Sequence, residues 1–184
     1  MDKVIDWSKI KAVVLDRDGV INHDSDAYIK SPEEWIPIAG SLAAIAKLNQ
    51  GFKVAIATNQ SGIGRGFYDE LVLAQMHQKM ADLLAKHHGH IDQIEFCPHH
   101  PDDGCECRKP NTLMLEKIAR NFDLDPSEMV FIGDSKSDYE SAQAFDCAFV
   151  LVLTGKGLQT LEKLAGKDIQ IEKSLAKLVE TIGN

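Results

Sequence analysis

The fold is decided by residues 13–22, which read VVLDRDGVIN. The apolar run over residues 10–15, interrupted only by Lys11, has the length and β-branched content of a buried strand. Asp16 and Asp18 follow it, at the end of the strand where open α/β sheets bind their ligands. Gly19 permits the positive φ that turns the chain back toward the same crevice. Taken alone, this stretch is explained more simply as a strand that runs into a polar turn.

Length and charge restrict the class of protein. The 184 residues suffice for one domain with a full core, so we expect a single domain over residues 1–184. The net charge of -8 argues against general nucleic-acid binding, which needs a basic surface. No apolar run approaches the ~20 residues of a membrane span, and residues 1–9 do not have the pattern of a signal peptide. We therefore expect a cytoplasmic protein without nucleic-acid or membrane partners.

Apolar runs alternate with helical patterns along the chain. The runs typical of strands cover residues 10–15, 52–57, 91–96, 129–132 and 148–153. This alternation predicts an α/β fold with a doubly wound, mostly parallel, Rossmann-like sheet and right-handed crossovers. Residues 23–37 have no clean periodicity and are too few for a cap domain, so we expect an extended loop there.

Four consecutive predicted strands end in polar residues. These residues are Asp16 and Asp18, then Thr58 and Asn59, then Lys109 after a cysteine-rich loop, and then Asp134. Because the carboxyl ends of parallel strands lie side by side, we expect these side chains to share one edge of the sheet. Asp16 and Asp134 are hard oxygen ligands suited to Mg²⁺, which would relieve the repulsion between neighbouring carboxylates. Thr58 and the loop amides suit phosphate oxygens, and Lys109 adds a positive charge.

Two features of the C-terminal half need interpretation. Asp138, four residues after Asp134, is either a partner that supports the metal site from one helical turn away or a first-turn acid favoured by the helix dipole. Residues 154–157 (TGKG) resemble part of a P-loop, but the GxxxxGK[ST] pattern is absent, so we predict a turn.

The strand-end motifs resemble those of the haloacid-dehalogenase superfamily of phosphatases. Residues 16–20 (DRDGV), residues 58–60 (TNQ), Lys109 and residues 133–134 (GD) match its four motifs in order. The resemblance implies that Asp16 is an ionised nucleophile and Asp18 an initially protonated general acid/base, with Mg²⁺ bound by Asp16, Asp18 and Asp134. It also implies phosphate or substrate contacts from Arg17, Asn22, Thr58, Asn59, Gln60, Ser61, Arg65, Arg108 and Lys109.

A cysteine-rich loop at about residues 97–107 precedes Lys109. Four soft ligands fall within it: Cys97, His99, Cys105 and Cys107. Such a closed set is typical of structural Zn²⁺, which would fix where the loop presents Arg108 and Lys109. The alternatives are a loop of reduced thiols, or a site in which His100 replaces His99.

With the zinc loop included, the motifs resemble the subgroup of heptose 1,7-bisphosphate phosphatases, whose relatives act on histidinol phosphate. By this resemblance the cap is reduced to loops, and the C7 phosphate of D-glycero-D-manno-heptose 1,7-bisphosphate is removed in the synthesis of nucleotide-activated heptose for the lipopolysaccharide core. Arg65 and Arg108 are candidates for the second phosphate. Relatives that act on histidinol phosphate tend to carry Asp where Ser61 stands, so Ser61 with Arg65 favours the sugar bisphosphate.

Two further expectations concern activity and assembly. A phosphate- or metal-binding module without turnover is the rival from a different functional class, although the pair Asp16 and Asp18 favours an enzyme. No obvious apolar interaction segment is left over once the core elements are assigned, so we expect a monomer whose partner is a small sugar phosphate.

Overall fold

The computed structural model describes residues 5–182. Its strands and helices are β1 Ala12–Leu15, α1 Ser41–Leu48, β2 Lys53–Asn59, α2 Glu70–Lys86, β3 Gln93–Cys97, α3 Leu113–Phe122, β4 Met129–Gly133, α4 Lys136–Phe145, β5 Ala148–Val152, α5 Gly157–Lys163, β6 Gln170–Glu172 and α6 Leu175–Ile182. Over the described residues, no helix combines the length and the apolar character that crossing a membrane requires.

The strands form one parallel sheet in the order β3-β2-β1-β4-β5-β6. This confirms the predicted doubly wound α/β fold, and the five predicted strands all belong to the sheet. The sequence did not indicate β6, because its three residues contain a single apolar side chain, Ile171, which is 41% exposed at the sheet edge. The strand order reverses at β1, and sheets of this kind bind ligands beside the carboxyl end of the strand where the order reverses.

Side chains of the central strands alternate between two apolar layers. On β1, Val13 and Leu15 pack with residues of α1, α2 and α6. Ala12 and Val14 point to the other face, where they pack with residues of α3 and α4. All four β1 side chains are 0% exposed, so the strand end that carries Asp16 is held in a rigid frame.

Residues 23–37 form the predicted extended loop, which is anchored at its C-terminal half. The Trp35 side chain is 0% exposed. Lys79 of α2 donates hydrogen bonds from Nζ to the carbonyl oxygens of Pro32 and Trp35, at 2.6 and 2.8 Å. The N-terminal half of the loop borders the carboxyl edge of the sheet.

Candidate active site

A polar pocket of about 280 Å³ lies at the carboxyl edge of the sheet. Most of the sequence-predicted site residues line it, namely Asp16, Asp18, Asn59, Gln60, Ser61, Arg108, Lys109 and Asp134. The sequence did not single out the other lining residues, which are Asp24, Ser25, Asp26, Tyr28, Ile29, Tyr68, Ser135, Ser137 and Lys156. Four predicted contacts lie outside the lining: Arg17, Asn22, Thr58 and Arg65.

Lys109 connects two of the buried carboxylates. Its Nζ lies 3.0 Å from Asp16 Oδ1 and 2.7 Å from Asp138 Oδ1, and it donates a hydrogen bond to the carbonyl oxygen of Ala57 at 2.9 Å. Burial alone would lower the pKa of Lys109, but the carboxylates of Asp138 and Asp16 raise it above its ordinary value. A charged ammonium is therefore fixed beside the predicted nucleophile.

Asp16, Asp134 and Asp138 form a group of buried carboxylates whose oxygens lie within 4.8 Å of one another. Burial raises the pKa of Asp16 to about 7, because the Lys109 ammonium only partly offsets desolvation and the nearby carboxylates. Burial, with repulsion from Asp16 and Asp138, also raises the pKa of Asp134 to about 8. Hard oxygen ligands that repel one another favour a divalent cation, so this group fits Mg²⁺.

Asp18 does not belong to this group, which differs from the predicted metal set. Its carboxylate accepts hydrogen bonds from Asn22 Nδ2 and Gln60 Nε2, both at 2.8 Å, and from Arg17 Nη2 at 3.0 Å. Burial would raise the pKa of Asp18, but the Arg17 guanidinium and these hydrogen bonds hold it below its ordinary value. These contacts favour the ionised form of Asp18 in the pocket wall, and Asp138 belongs to the carboxylate group in place of Asp18.

Arg17 is buried behind Asp18 and does not line the pocket. Its side chain is 0% exposed, donates from Nη2 to Gln60 Oε1 at 3.1 Å, and lies 3.4 Å from His77 Nε2 through Nη1. Burial and the nearby guanidinium lower the pKa of His77 to about 4, so the ring is neutral. Arg17 therefore positions Asp18 rather than facing a ligand as predicted, and no local pattern links His77 of α2 to this network.

The residues that follow β2 hold their neighbours in place. Thr58 is 1% exposed, and its Oγ1 accepts a hydrogen bond from Gln60 Nε2 at 2.8 Å. Asn59 accepts from the Lys109 backbone amide at 3.0 Å and donates to the Lys109 carbonyl oxygen at 3.2 Å. Tyr68 donates to Gln60 Oε1 at 2.6 Å. These contacts fix the positions of Lys109 and Asp18 relative to each other.

Asp138 has one of the two roles that the sequence left open, that of a first-turn acid. Ser135 Oγ accepts from the Asp138 amide at 3.3 Å, and Asp138 Oδ2 accepts from the Ser135 amide at 3.0 Å, which makes a capping box at the start of α4. Asp138 is therefore a first-turn acid, and the same carboxylate is also an ion-pair partner of Lys109.

Residues 154–156 contact Asp134. The sequence did not predict this contact. These residues form the predicted turn, and the Lys156 backbone amide donates to Asp134 Oδ2 at 2.7 Å. Gly155 and Gly19, both at positive φ, approach so closely that a Cβ on either would overlap the Asp134 carboxylate. The turn follows β5, so the strand-end argument used for the first four strands would have found it.

Arg108 carries a buried nitrogen, Nη1, for which the described residues supply no hydrogen-bond partner. It also lines the pocket beside Lys109. A buried cationic donor without a partner is costly, so this group suits an anionic ligand.

The four soft ligands converge as predicted, with all donor atoms within 4.8 Å of one another. Cys105 Sγ lies 3.5 Å from Cys97 Sγ and 3.7 Å from Cys107 Sγ, and His99 Nδ1 lies 3.2 Å from Cys107 Sγ. This donor set fits a closed tetrahedral zinc site. His100 points elsewhere, because its Nδ1 accepts from the Asp102 amide at 3.2 Å, so the structure favours His99 over His100.

The cysteine-rich loop packs directly on the loop that follows β2. The Gly64 amide donates to the Pro98 carbonyl oxygen at 2.8 Å. A Cβ at Gly64 would overlap the His100 backbone, so only glycine permits this approach. The loop that carries the four soft ligands therefore packs against the loop after β2, which supplies Gln60 and Ser61 to the pocket lining.

The sequence is similar over most of its length to two proteins named D-glycero-beta-D-manno-heptose-1,7-bisphosphate 7-phosphatase. The protein of Pseudomonas aeruginosa is 51% identical over 171 residues, which cover 92% of this chain and 96% of that protein. The protein of Pseudomonas putida is 49% identical over 174 residues, with coverage of 94% and 99%. A family model described as HAD-hydrolase-like matches residues 106–178.

The fold is similar to a solved structure of the same class. The crystal structure of D,D-heptose 1,7-bisphosphate phosphatase from B. bronchiseptica, complexed with magnesium and phosphate, superposes with a TM-score of 0.90. The two sequences are 46% identical, and the match covers 94% of this chain and 98% of that one.

Proposed function

Because the chain belongs to the haloacid-dehalogenase-like hydrolases and is a phosphoric monoester hydrolase, we propose that it removes the C7 phosphate of D-glycero-β-D-manno-heptose 1,7-bisphosphate. The names of its relatives support this substrate. The observation that carries the proposed chemistry is the contact of 3.0 Å between Lys109 Nζ and Asp16 Oδ1 in a pocket of polar side chains. A fixed cation there offsets the repulsion between a carboxylate nucleophile and a phosphate dianion.

In the first half-reaction, an oxygen of Asp16 attacks phosphorus and the ester bond to the C7 oxygen breaks. The departing alkoxide takes a proton from Asp18, which leaves an aspartyl-phosphate on Asp16. Asp18 must therefore gain a proton when substrate binds, and the negative phosphate close to it would raise its pKa from the low resting value. Arg17, Asn22 and Gln60 hold the carboxyl group in position.

In the second half-reaction, water attacks phosphorus on the side opposite Asp16. Asp18, now a carboxylate, takes a proton from that water, and the bond between phosphorus and Asp16 breaks. Inorganic phosphate leaves and the Asp16 carboxylate is restored. The low resting pKa of Asp18 suits this step, because it favours the form that accepts a proton.

We assign Mg²⁺ to the group formed by Asp16, Asp134 and Asp138. Bound there, the ion would neutralise charge that builds up on the transferring phosphoryl group and lower the raised pKa values of the carboxylates. The magnesium bound to the relative from B. bronchiseptica supports Mg²⁺ as the ion, and the convergence of the three carboxylates supports its place. Asp18 contributes no carboxylate oxygen to the proposed set.

We assign a structural Zn²⁺ to Cys97, His99, Cys105 and Cys107. Its role is positional, since the loop that carries these ligands leads directly into Arg108 and Lys109. Arg108, whose Nη1 has no partner among the described residues, is the proposed contact for the phosphate that stays on C1. Ser61 and the other hydroxyl-bearing and acidic lining residues complete the polar wall.

The proposed setting is a monomeric, single-domain enzyme that supplies heptose 1-phosphate for nucleotide-activated heptose and the lipopolysaccharide core. The test measures phosphate release with Mg²⁺ from the β and α anomers of the bisphosphate and from histidinol phosphate. We expect the β anomer to be hydrolysed with the highest kcat/KM, and ³¹P NMR to show loss of the C7 phosphate only. A higher kcat/KM for histidinol phosphate would overturn the proposed substrate.

A second measurement separates an enzyme from a binding module. Asp16→Asn should abolish turnover and the hydroxylamine-sensitive label that ³²P-labelled substrate leaves on the protein, while Asp82→Asn, an exposed change on α2, should alter neither. Equal labelling of wild type and Asp16→Asn would refute the covalent step.

A further inference from the structure

Tyr28 lines the active-site pocket with an unusual backbone conformation. Its φ is 65°, a value that residues other than glycine seldom adopt. The Tyr28 amide donates to the Ser25 carbonyl oxygen at 3.0 Å, so the turn that imposes this conformation is hydrogen-bonded. Such conformations persist where the surrounding structure holds a side chain in a required place.

Two side chains from the loop after β2, Phe67 and Arg65, contact the Tyr28 ring. The Phe67 ring lies with its centroid 5.2 Å from that of Tyr28, at an interplanar angle of 55°. The Arg65 guanidinium lies over the Tyr28 ring, 5.8 Å from its centroid. Arg65 therefore supports an aromatic ring rather than lining the pocket, where the sequence predicted a substrate contact.

The contact between the Tyr28 and Phe67 rings lies at the protein surface and not in the core. Phe67, the partner of the Tyr28 ring, is 52% exposed. Almost all other lining residues are charged or carry hydroxyl or amide groups, and the second lining tyrosine, Tyr68, is bound to Gln60. Tyr28 and Ile29 thus supply the apolar part of the pocket, and the polar residues of the remaining wall suit phosphate and a metal ion.

We infer that the Tyr28 ring, supported by Phe67 and Arg65, is a specificity-determining contact for the carbon skeleton of the substrate. This inference rests on the proposed sugar phosphate activity. A sugar has C–H faces that can pack against an aromatic ring, whereas inorganic phosphate has none. The ring therefore contributes to binding of the organic part and leaves phosphate binding to Lys109 and the metal group.

The test compares variants by KM for the sugar bisphosphate and by the inhibition constant of inorganic phosphate. Tyr28→Gly removes the ring and relieves the backbone, because glycine adopts positive φ readily. Phe67→Ala removes the ring that packs against Tyr28, and Tyr28→Phe retains the Tyr28 ring. Leu158→Ala is the matched control, because Leu158 is 63% exposed and lies outside the pocket lining.

We expect KM to rise at least tenfold in Tyr28→Gly and severalfold in Phe67→Ala, with the inhibition constant of phosphate within twofold of wild type. Tyr28→Phe, which retains the ring, should recover most of the affinity that Tyr28→Gly loses, and Leu158→Ala should keep the wild-type KM. The inference is overturned if KM does not change in Tyr28→Gly, or if KM and the phosphate constant rise together.

Failure of the inference is distinguishable from failure of the proposed function. The wild-type enzyme alone decides the proposed function, by whether it releases phosphate from the bisphosphate. If another sugar phosphate proves to be the better substrate, the same variants are compared on that substrate, and an unchanged KM there still overturns the role of Tyr28.

Discussion

Lys109→Met should destabilise the protein strongly and in a pH-dependent way. The Lys109 ammonium lies 3.0 Å from Asp16 and 2.7 Å from Asp138, and the side chain is 2% exposed. With an effective dielectric constant of ~20, Coulomb's law gives about 5–6 kcal/mol for each contact. Desolvation of the ammonium offsets several kcal/mol, and removal of one partner of a buried ion pair typically costs about 3–5 kcal/mol. We therefore expect Lys109→Met to lower the free energy of unfolding by about 3–5 kcal/mol at pH 8 without added metal.

The pH dependence follows from the carboxylates that the substitution leaves behind. Without the ammonium, the pKa of Asp16 should rise beyond about 7. A folded-state pKa above the unfolded value means that stability is present at low pH and lost as pH rises through the folded pKa. The penalty of Lys109→Met should therefore shrink toward pH 5, where the Asp16 carboxyl group in the folded protein is protonated.

The assay is urea unfolding of wild type and variant at pH 5 and pH 8, with chelator present. Lys53→Met is the matched control, because Lys53 also lies 3.0 Å from a carboxylate, that of Asp92, but its side chain is 60% exposed. We expect the control to lose less than about 1 kcal/mol. A loss below about 1 kcal/mol for Lys109→Met at pH 8, or an equal loss at both pH values, would refute the reasoning.

The remaining predictions concern the metal sites. The pKa values of Asp16 and Asp134 are raised to about 7 and about 8, so the metal-free protein should lose stability as pH rises from 5 to 8. The increase in Tm on adding Mg²⁺ should grow over the same interval. An increase in Tm that does not depend on pH would contradict this. Gly155→Ala should weaken Mg²⁺ binding at least tenfold by calorimetry, because its Cβ would displace Asp134, whereas Gly166→Ala, at a similar positive φ with open space around it, should leave Mg²⁺ binding unchanged. Metal analysis should find one zinc ion per chain in wild type and none in Cys107→Ser, and the Tm of the variant should be several degrees lower. Full zinc content in the variant would remove Cys107 from the ligand set.

The edge of the sheet at which the site lies is determined by the sequence alone. Parallel strands place their carboxyl ends together, so residues as distant as Asp16, Asn59 and Asp134 can be assigned to one place from strand positions. The four soft ligands are likewise evident from residue type and close spacing, because a short loop keeps its ligands near one another. These inferences succeed because they depend on local periodicity and on one rule of topology.

Only the tertiary structure decided which side chains point into the pocket and what they contact. Arg17 and Asp18 are adjacent in sequence, yet one is buried and the other lines the pocket. His77 of α2 contacts Arg17 from about 60 residues away in the chain, and Phe67 contacts the Tyr28 ring from the loop after β2. Packing rather than local pattern determines both contacts. Side-chain direction and pKa depend on burial and on neighbours that are distant in sequence, and those neighbours are defined only once the helices have packed on both faces of the sheet.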